Sequence, residues 1–211
     1  MAVFDTTIVE NIRKSVGNVT MYVNGGQQVV RKKAAVVKDR KSPVQLQQRE
    51  RFKVVAALWP YIKPVARRCF CQGTVREAWN RFLRVNVSRV LVNGEQTDEE
   101  NWGRLLVAEG PLVVPDMVAE IGVENREVVF RWRHQPDCPG CLYDDGLYGV
   151  IVDRDGGGTL FVELGQRDRP GERRIGMPAG MQMERLVVYG LAINKTRTRT
   201  SNSMVLAGGY G

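Results

Sequence analysis

One histidine, four cysteines and no apolar run of about 18 residues leave this 211-residue chain poorly equipped for the commonest catalytic, disulfide-stapled and membrane-spanning designs. The histidine, His134, stands beside Pro136 in an expected loop, and nothing near it marks an activated nucleophile. Neither common glycine-rich phosphate loop occurs. Cys69, Cys71, Cys138 and Cys141 are too few and too clustered to be the disulfide framework of a chain this long. The start, Met1-Ala-Val-Phe-Asp5, lacks the basic residues and apolar core of a secretory signal, so a Sec-secreted protein is not expected. These shortages predict no enzyme, no cofactor, no membrane contact and no small-molecule substrate.

Two short motifs carry metal-like spacing, and each has a plainer reading. Cys138-Pro-Gly-Cys141 is spaced like a zinc knuckle, and Cys69-x-Cys71 is the only other pair available. That second pair lacks the two-residue gap and falls in an expected helix, so free thiols or a local disulfide are favoured over zinc. Asp153-Arg-Asp-Gly-Gly-Gly158 begins like a calcium loop but lacks the later acidic ligands, which favours a turn between strands.

What the chain does have is charge, unevenly placed. Residues 1–92 hold 18 Lys and Arg against 5 Asp and Glu, whereas residues 93–211 hold 13 against 18. A basic first half suggests an acidic partner, nucleic acid included, or head-to-tail association between copies. The hydrophobic share of 43% is ordinary for a folded protein.

The chain is organised around a helix expected to start at Ser42-Pro43, with Ser42 as cap, Pro43 in the first helical position and Gln45 as capping-box partner. Val44, Gln48, Phe52, Val55 and Trp59 follow at spacings that share one helical face. Gln48 inside that stripe needs hydrogen-bond partners if buried, so a bond to a neighbouring element is expected. Pro60 and Pro64 predict a stop or a kink. Before this helix, residues 1–16 read as a short helix or an arm with Ile8, Ile12 and Val16 as a stripe. Gly17 to Arg31 reads as a hairpin turning at Asn24-Gly25-Gly26. An isolated hairpin is marginal in water, so this one must pack on the helix or on another subunit. Residues 31–41 are a basic connector, read as a solvated linker or as a contact for phosphate or an acidic surface through Lys32, Lys33, Lys38, Arg40 and Lys41.

After a short helical segment with Arg67 and Arg68, Thr74-Val-Arg-Glu77 forms a second capping box, followed by Val75, Trp79, Phe82, Leu83 and Asn86 as a helical face. The polar stretch 93–102 is the expected joint between a basic head (1–92) and a second domain (103–211). Beyond it, short β-branched and aromatic runs recur at 105–107, 118–123, 128–132, 147–152, 160–162, 174–177, 186–193 and 203–206. This spacing predicts an α+β chain whose second domain is an antiparallel sandwich of immunoglobulin or fibronectin type.

Several of these stretches together resemble the Bacteroidetes family of unknown function numbered six-two-six-six. They are Gly17-Asn-Val-x-x-Tyr22, Val29-Val-Arg31, Ser42-x-x-Gln45-x-x-Gln48-Arg49-x-Arg51-Phe52, Ala78-Trp-Asn80 and, after a strand with Tyr189, Ser201-Asn-Ser203-x-x-Leu206-x-Gly208. The resemblance covers most of the chain, implies a hairpin and helical head before a fibronectin-like sandwich, and brings no catalytic residues. The chain departs from the family in its Cys-Pro-Gly-Cys loop and Gly-rich tail. The first half is also similar, more loosely, to small virion proteins of tailed phages.

The expected function is therefore a non-enzymatic structural or assembly protein, a repeated component of a phage virion or similar particle, assembled in the cytoplasm, with other copies or other particle proteins as partners. Its candidate assembly residues are Tyr22, Arg31, Gln45, Gln48, Arg49, Arg51 and Phe52. The alternative is a nucleic-acid-binding module using the basic first half.

Overall fold

Gly25 and Gly26 both take positive φ, 58° and 82°, as a two-residue type I′ turn requires, and they join β3 (Val19–Asn24) to β4 (Gln27–Lys32) with Asn24 opposite Gln27. The expected hairpin is thus present. β1 (Ala2–Val3) adds antiparallel to β4 and β2 (Lys14–Val16) to β3, giving the order β1-β4-β3-β2. The computed structural model describes residues 2–3, 14–33, 41–71, 73–92 and 98–208, and the chain divides into two compact units, Met1–Ser42 and Pro43–Gly211. Ile8 and Ile12 lie outside the described residues. Val16 belongs to a strand and is exposed, so the described ends of this segment are strand where a helix or an arm was one expectation.

In the second unit α1 (Pro43–Cys69) runs unbroken through Pro60 and Pro64. Of the expected stop or kink, the stop does not occur. Both prolines are exposed while Val55, Leu58, Ile62, Val65, Ala66 and Cys69 are buried, so the carbonyls that lose their N–H partners lie toward water. The apolar stripe holds the helix together past its two weak points. α2 (Val75–Asn86) starts at the expected capping box: Glu77 N–H donates to Thr74 Oγ1 at 3.2 Å and Thr74 N–H to Glu77 Oε2 at 2.9 Å. Trp59 of α1 meets Trp79 and Phe82 of α2 with ring centroids 5.0 and 5.4 Å apart. α3 (Asp98–Arg104) lies in the stretch read as a joint, and Trp102 on it is buried.

Seven further strands follow in the expected places after the run at 105–107, where Leu105 and Val107 are buried but no strand forms. They are β5 (Met117–Gly122), β6 (Glu127–Trp132), β7 (Gly146–Asp153), β8 (Gly158–Gln166), β9 (Gly171–Gly176) and β10 (Leu186–Ile193), and β11 (Met204–Ala207) closes the set. All pair antiparallel, in a four-stranded sheet β11-β10-β7-β8 and a three-stranded sheet β5-β6-β9. The fold is α+β with a β-sandwich.

Alternation along two strands shows where the layers lie. Leu147 and Ile151 on β7 and Leu186, Val188 and Ala192 on β10 join Met117, Val128, Phe130 and Trp132 in one core between the sheets. The intervening Tyr148, Val150 and Val152, with Val187, Tyr189, Leu191 and Ile193, join Ile62, Ala66, Phe82 and Trp102 in a second core. The four-stranded sheet is therefore a middle layer, covered by helices on one face and by the other sheet on the second. Helices that the sequence assigns to a separate head share a core with the sandwich.

Candidate functional site

The expected assembly residues fall in both units. In the first, the Arg31 guanidinium carbon sits 5.7 Å from the centre of the Tyr22 ring, and both side chains share the face of the sheet that carries Val29. Val29 is the buried apolar side chain of this unit among the described residues. Val19, Met21, Val23 and Val30 line the other face and are only partly covered. Arg31, Lys32 and Lys33 are exposed at the end of β4, whereas Lys38 and Arg40 lie outside the described residues. Lys41 takes a left-handed φ of 46° just before α1.

In the second unit, the first two turns of α1 are uncovered and the third only partly covered. Val44 is 76% exposed, Leu46 46% and Phe52 48%, and Gln45, Gln48 and Arg49 are exposed beside them. Gln48 therefore carries no burial cost, which corrects its expected place inside a covered stripe. Arg51 is partly buried, with an Nε that finds no hydrogen-bond partner. Phe52 touches Trp79 edge-on at 6.4 Å, so it marks the point where α1 begins to be covered.

Sequence reading missed a cleft of about 810 Å³ where the last turn of α1 meets β7, β8 and the loop after β10. Arg67, Arg68 and Arg197 line it together with Tyr148, Phe161 and Glu163. Arg68 lies over the Phe161 ring at 5.4 Å, and Phe161 stacks on Tyr148 at 5.1 Å. Burial pushes the Tyr148 hydroxyl upward, the Glu163 carboxylate adds to this, and Arg197 opposes both. Such a lining favours an oxyanion over a cation. Arg67 and Arg68 were visible as a basic pair, but only the fold brings Arg197 to them.

Of the residues singled out for metal chemistry, Asp153 holds the backbone of its own loop. Asp153 is buried and accepts N–H groups from Asp155 at 2.9 Å and Gln182 at 3.0 Å, which makes its loop the strand-connecting turn favoured above. All four cysteines are free thiols, and the described residues hold no cluster of three metal-ligating side chains. Burial pushes the Cys69 thiol far up, and the Cys71 thiol up as well. Cys141 is buried beside Arg167 and Asp145, a charged pair itself closed off from solvent. His134 is exposed in its loop.

The Ser201-Asn202-Ser203 motif is likewise structural. Ser203 Oγ accepts from Val107 N–H at 2.9 Å and Ala108 N–H at 3.3 Å, Asn202 Oδ1 accepts from Gly110 N–H at 3.3 Å, and Ser201 Oγ accepts from Ala192 N–H at 2.9 Å. Three consecutive side chains thus tie the 107–110 segment to β10. No described helix is long and apolar enough to cross a membrane. Comparisons with protein families, with curated proteins and with solved structures find no match for this chain.

Proposed function

We propose that this chain is a non-enzymatic structural protein that assembles from repeated copies, in the manner of a component of a phage virion or similar particle. The observation that carries this reading is the uncovered start of α1, where Val44, Leu46 and Phe52 stay exposed on a helix whose later turns are well buried. Three exposed apolar side chains within three turns are costly to leave in water and are covered when a second copy docks.

Two further features support it. The sheet of residues 1–42 has one buried apolar side chain among its described residues, too little for a four-stranded sheet to stand alone. Charge is also split by layer: residues 43–92, which form α1 and α2, carry ten Lys and Arg against two Asp and Glu, while residues 93–211 are net acidic. A basic helical surface facing the acidic sheets of the next copy gives head-to-tail contact. In this reading assembly is cytoplasmic, and the sandwich is the docking or display module.

Light scattering on the full-length protein across a hundredfold range of concentration is the direct test. Growth into defined oligomers is expected, with dissociation at high salt. A strict monomer throughout overturns the reading. The competing reading, nucleic-acid binding by the basic first half with Lys32, Lys33, Lys38, Arg40 and Lys41 as candidate contacts, predicts DNA or RNA affinity that falls steeply with salt. Absence of binding at low salt removes it.

A further inference from the structure

We propose that Cys138 and Cys141 form a redox-reactive dithiol that closes to an intramolecular disulfide by exchange with a small disulfide of the glutathione class. The inference is independent of the assembly reading and rests on the Cys138-Pro139-Gly140-Cys141 turn.

The backbone sets the two thiols facing each other. Cys138 N–H donates to Cys141 O at 2.9 Å and Cys141 N–H donates to Cys138 O at 2.8 Å, so the residues are a hydrogen-bonded antiparallel pair. Such a pair holds its Cα atoms about 5.5 Å apart, at the commonest separation for a disulfide. Pro139 fixes the first corner of the turn, and Gly140 takes the second at a φ of 81° that other residues resist.

The loop is also held from outside. Val113 N–H donates to Gly140 O at 2.7 Å, Tyr143 N–H to Asp137 Oδ1 at 2.6 Å and Leu142 N–H to Asp145 Oδ2 at 3.0 Å. Closing the ring therefore orders little that is not ordered already, and the effective concentration of one thiol at the other is high.

Exposure divides the roles. Cys138 is exposed and Cys141 is buried. The Cys138 thiolate attacks one sulfur of the small disulfide, forming a mixed disulfide and releasing one thiolate, which takes a proton. Cys141 then gives its proton to solvent and attacks Cys138 Sγ, forming the internal S–S bond and expelling the second small thiol. Two protein thiols are oxidised and one small disulfide is reduced to two thiols. Arg167 beside Cys141 favours the thiolate needed in the second step, against the stronger opposing effect of burial.

Cys69 and Cys71 are the internal control. One residue separates them, Cys69 is buried at the end of α1, and Cys71 lies just past it at a φ of 50°. The test equilibrates the native full-length chain in glutathione buffers of graded oxidation, followed by acid quench, alkylation and peptide mass mapping. The peptide 134–154, which holds Cys138 and Cys141, should lose two hydrogens, with the cyclic form at least about tenfold more abundant than the glutathione adduct. The peptide 69–76 should remain alkylated in the same samples. In Cys141→Ser the adduct should accumulate on Cys138, and in Cys138→Ser Cys141 should stay unmodified. A peptide 134–154 that stays fully alkylated in the most oxidised buffer, or that carries only the adduct in the parent protein, overturns the proposal. Because Cys138 is exposed, the Cys138→Ser variant is expected to fold and keeps the test decisive if Cys141→Ser does not.

Discussion

Arg167 Nε lies 3.4 Å from Asp145 Oδ2, and both side chains are shut off from solvent, at 0% and 1% exposed. The pair is wired into the backbone around it. The guanidinium also donates to Gln135 Oε1 and Val113 O, Arg167 N–H donates to Asp145 O, and Asp145 Oδ2 accepts from Leu142 N–H. Four loop segments around the sandwich edge thus converge on two charges. Removing one partner leaves the other buried and uncompensated, which is costlier than removing both.

Asp145→Ala should therefore lower stability by about 3–5 kcal/mol, read as a shift in the urea midpoint. Replacing both residues, as in Asp145→Leu with Arg167→Met, should recover part of that loss. A double variant no more stable than Asp145→Ala would show that the pair's other hydrogen bonds, and not its charge balance, dominate.

Ser203 accepts two backbone N–H groups in a buried setting, and a lost acceptor there leaves both without a partner. Ser203→Ala is expected to cost about 1–3 kcal/mol, while Asn202→Ala, which removes one exposed bond, should cost less. Equal effects in thermal denaturation would contradict the assignment of the strut to Ser203.

Strand positions were the most legible part of the fold, because the runs at 128–132, 147–152 and 186–193 are short, β-branched and bounded by turn residues. The unbroken apolar stretch Leu186–Ile193 also signals burial on both faces, which only the helical layer explains. That layer was assigned elsewhere because polar residues at 93–102 read as a joint between domains. Pro60 and Pro64 predict a stop or a kink in α1, and the packing of Ile62, Val65 and Ala66 carries the helix past the stop. The Arg167–Asp145 pair and the arginine cleft were not legible. Their members are ordinary surface charges by type, and only long-range packing makes them neighbours.

Packing between the sheets can be probed at Gly149. A Cβ there would meet the Phe130 ring at 2.6 Å and Val162 Cγ2 at 3.0 Å, so Gly149→Ala should cost about 1–3 kcal/mol through forced repacking. Gly176, with nothing within 4 Å of its Cβ position, is the matched control, and Gly176→Ala should change stability by less than about 0.5 kcal/mol. Similar losses at both sites would point to a backbone effect common to strand glycines.

Glu172 on β9 is held by Arg131 and Arg174, at 2.7 and 3.0 Å, and their hydrogen bonds keep its carboxyl below the usual glutamate range. A lowered folded value means that its stabilising contribution is present above the unfolded glutamate value and fades as the pH falls through the folded one. An NMR titration of the Glu172 carboxyl should give a midpoint below about 4.3, and Arg131→Ala should move it upward. An unchanged midpoint in that variant would show that Arg131 does not set it.

Val44 and Leu46 separate folding from assembly more cleanly than any other pair in the chain. They sit in the first turn of α1, 76% and 46% exposed, whereas Phe52 further along already touches Trp79. Replacing both with Asp also places negative charge at a helix N-terminus, which the helix dipole favours, so the helix itself should not suffer. The double variant is expected to unfold within about 0.5 kcal/mol of the parent, yet to lose the oligomers seen by light scattering. Gln48→Ala with Arg49→Ala should weaken assembly less, since Gln48 is exposed without a burial cost to offset. Oligomers that persist in the Val44→Asp, Leu46→Asp protein place the contact elsewhere and refute the role given to this end of α1. A large loss of stability with assembly intact would show that these two side chains matter to the fold of the chain itself.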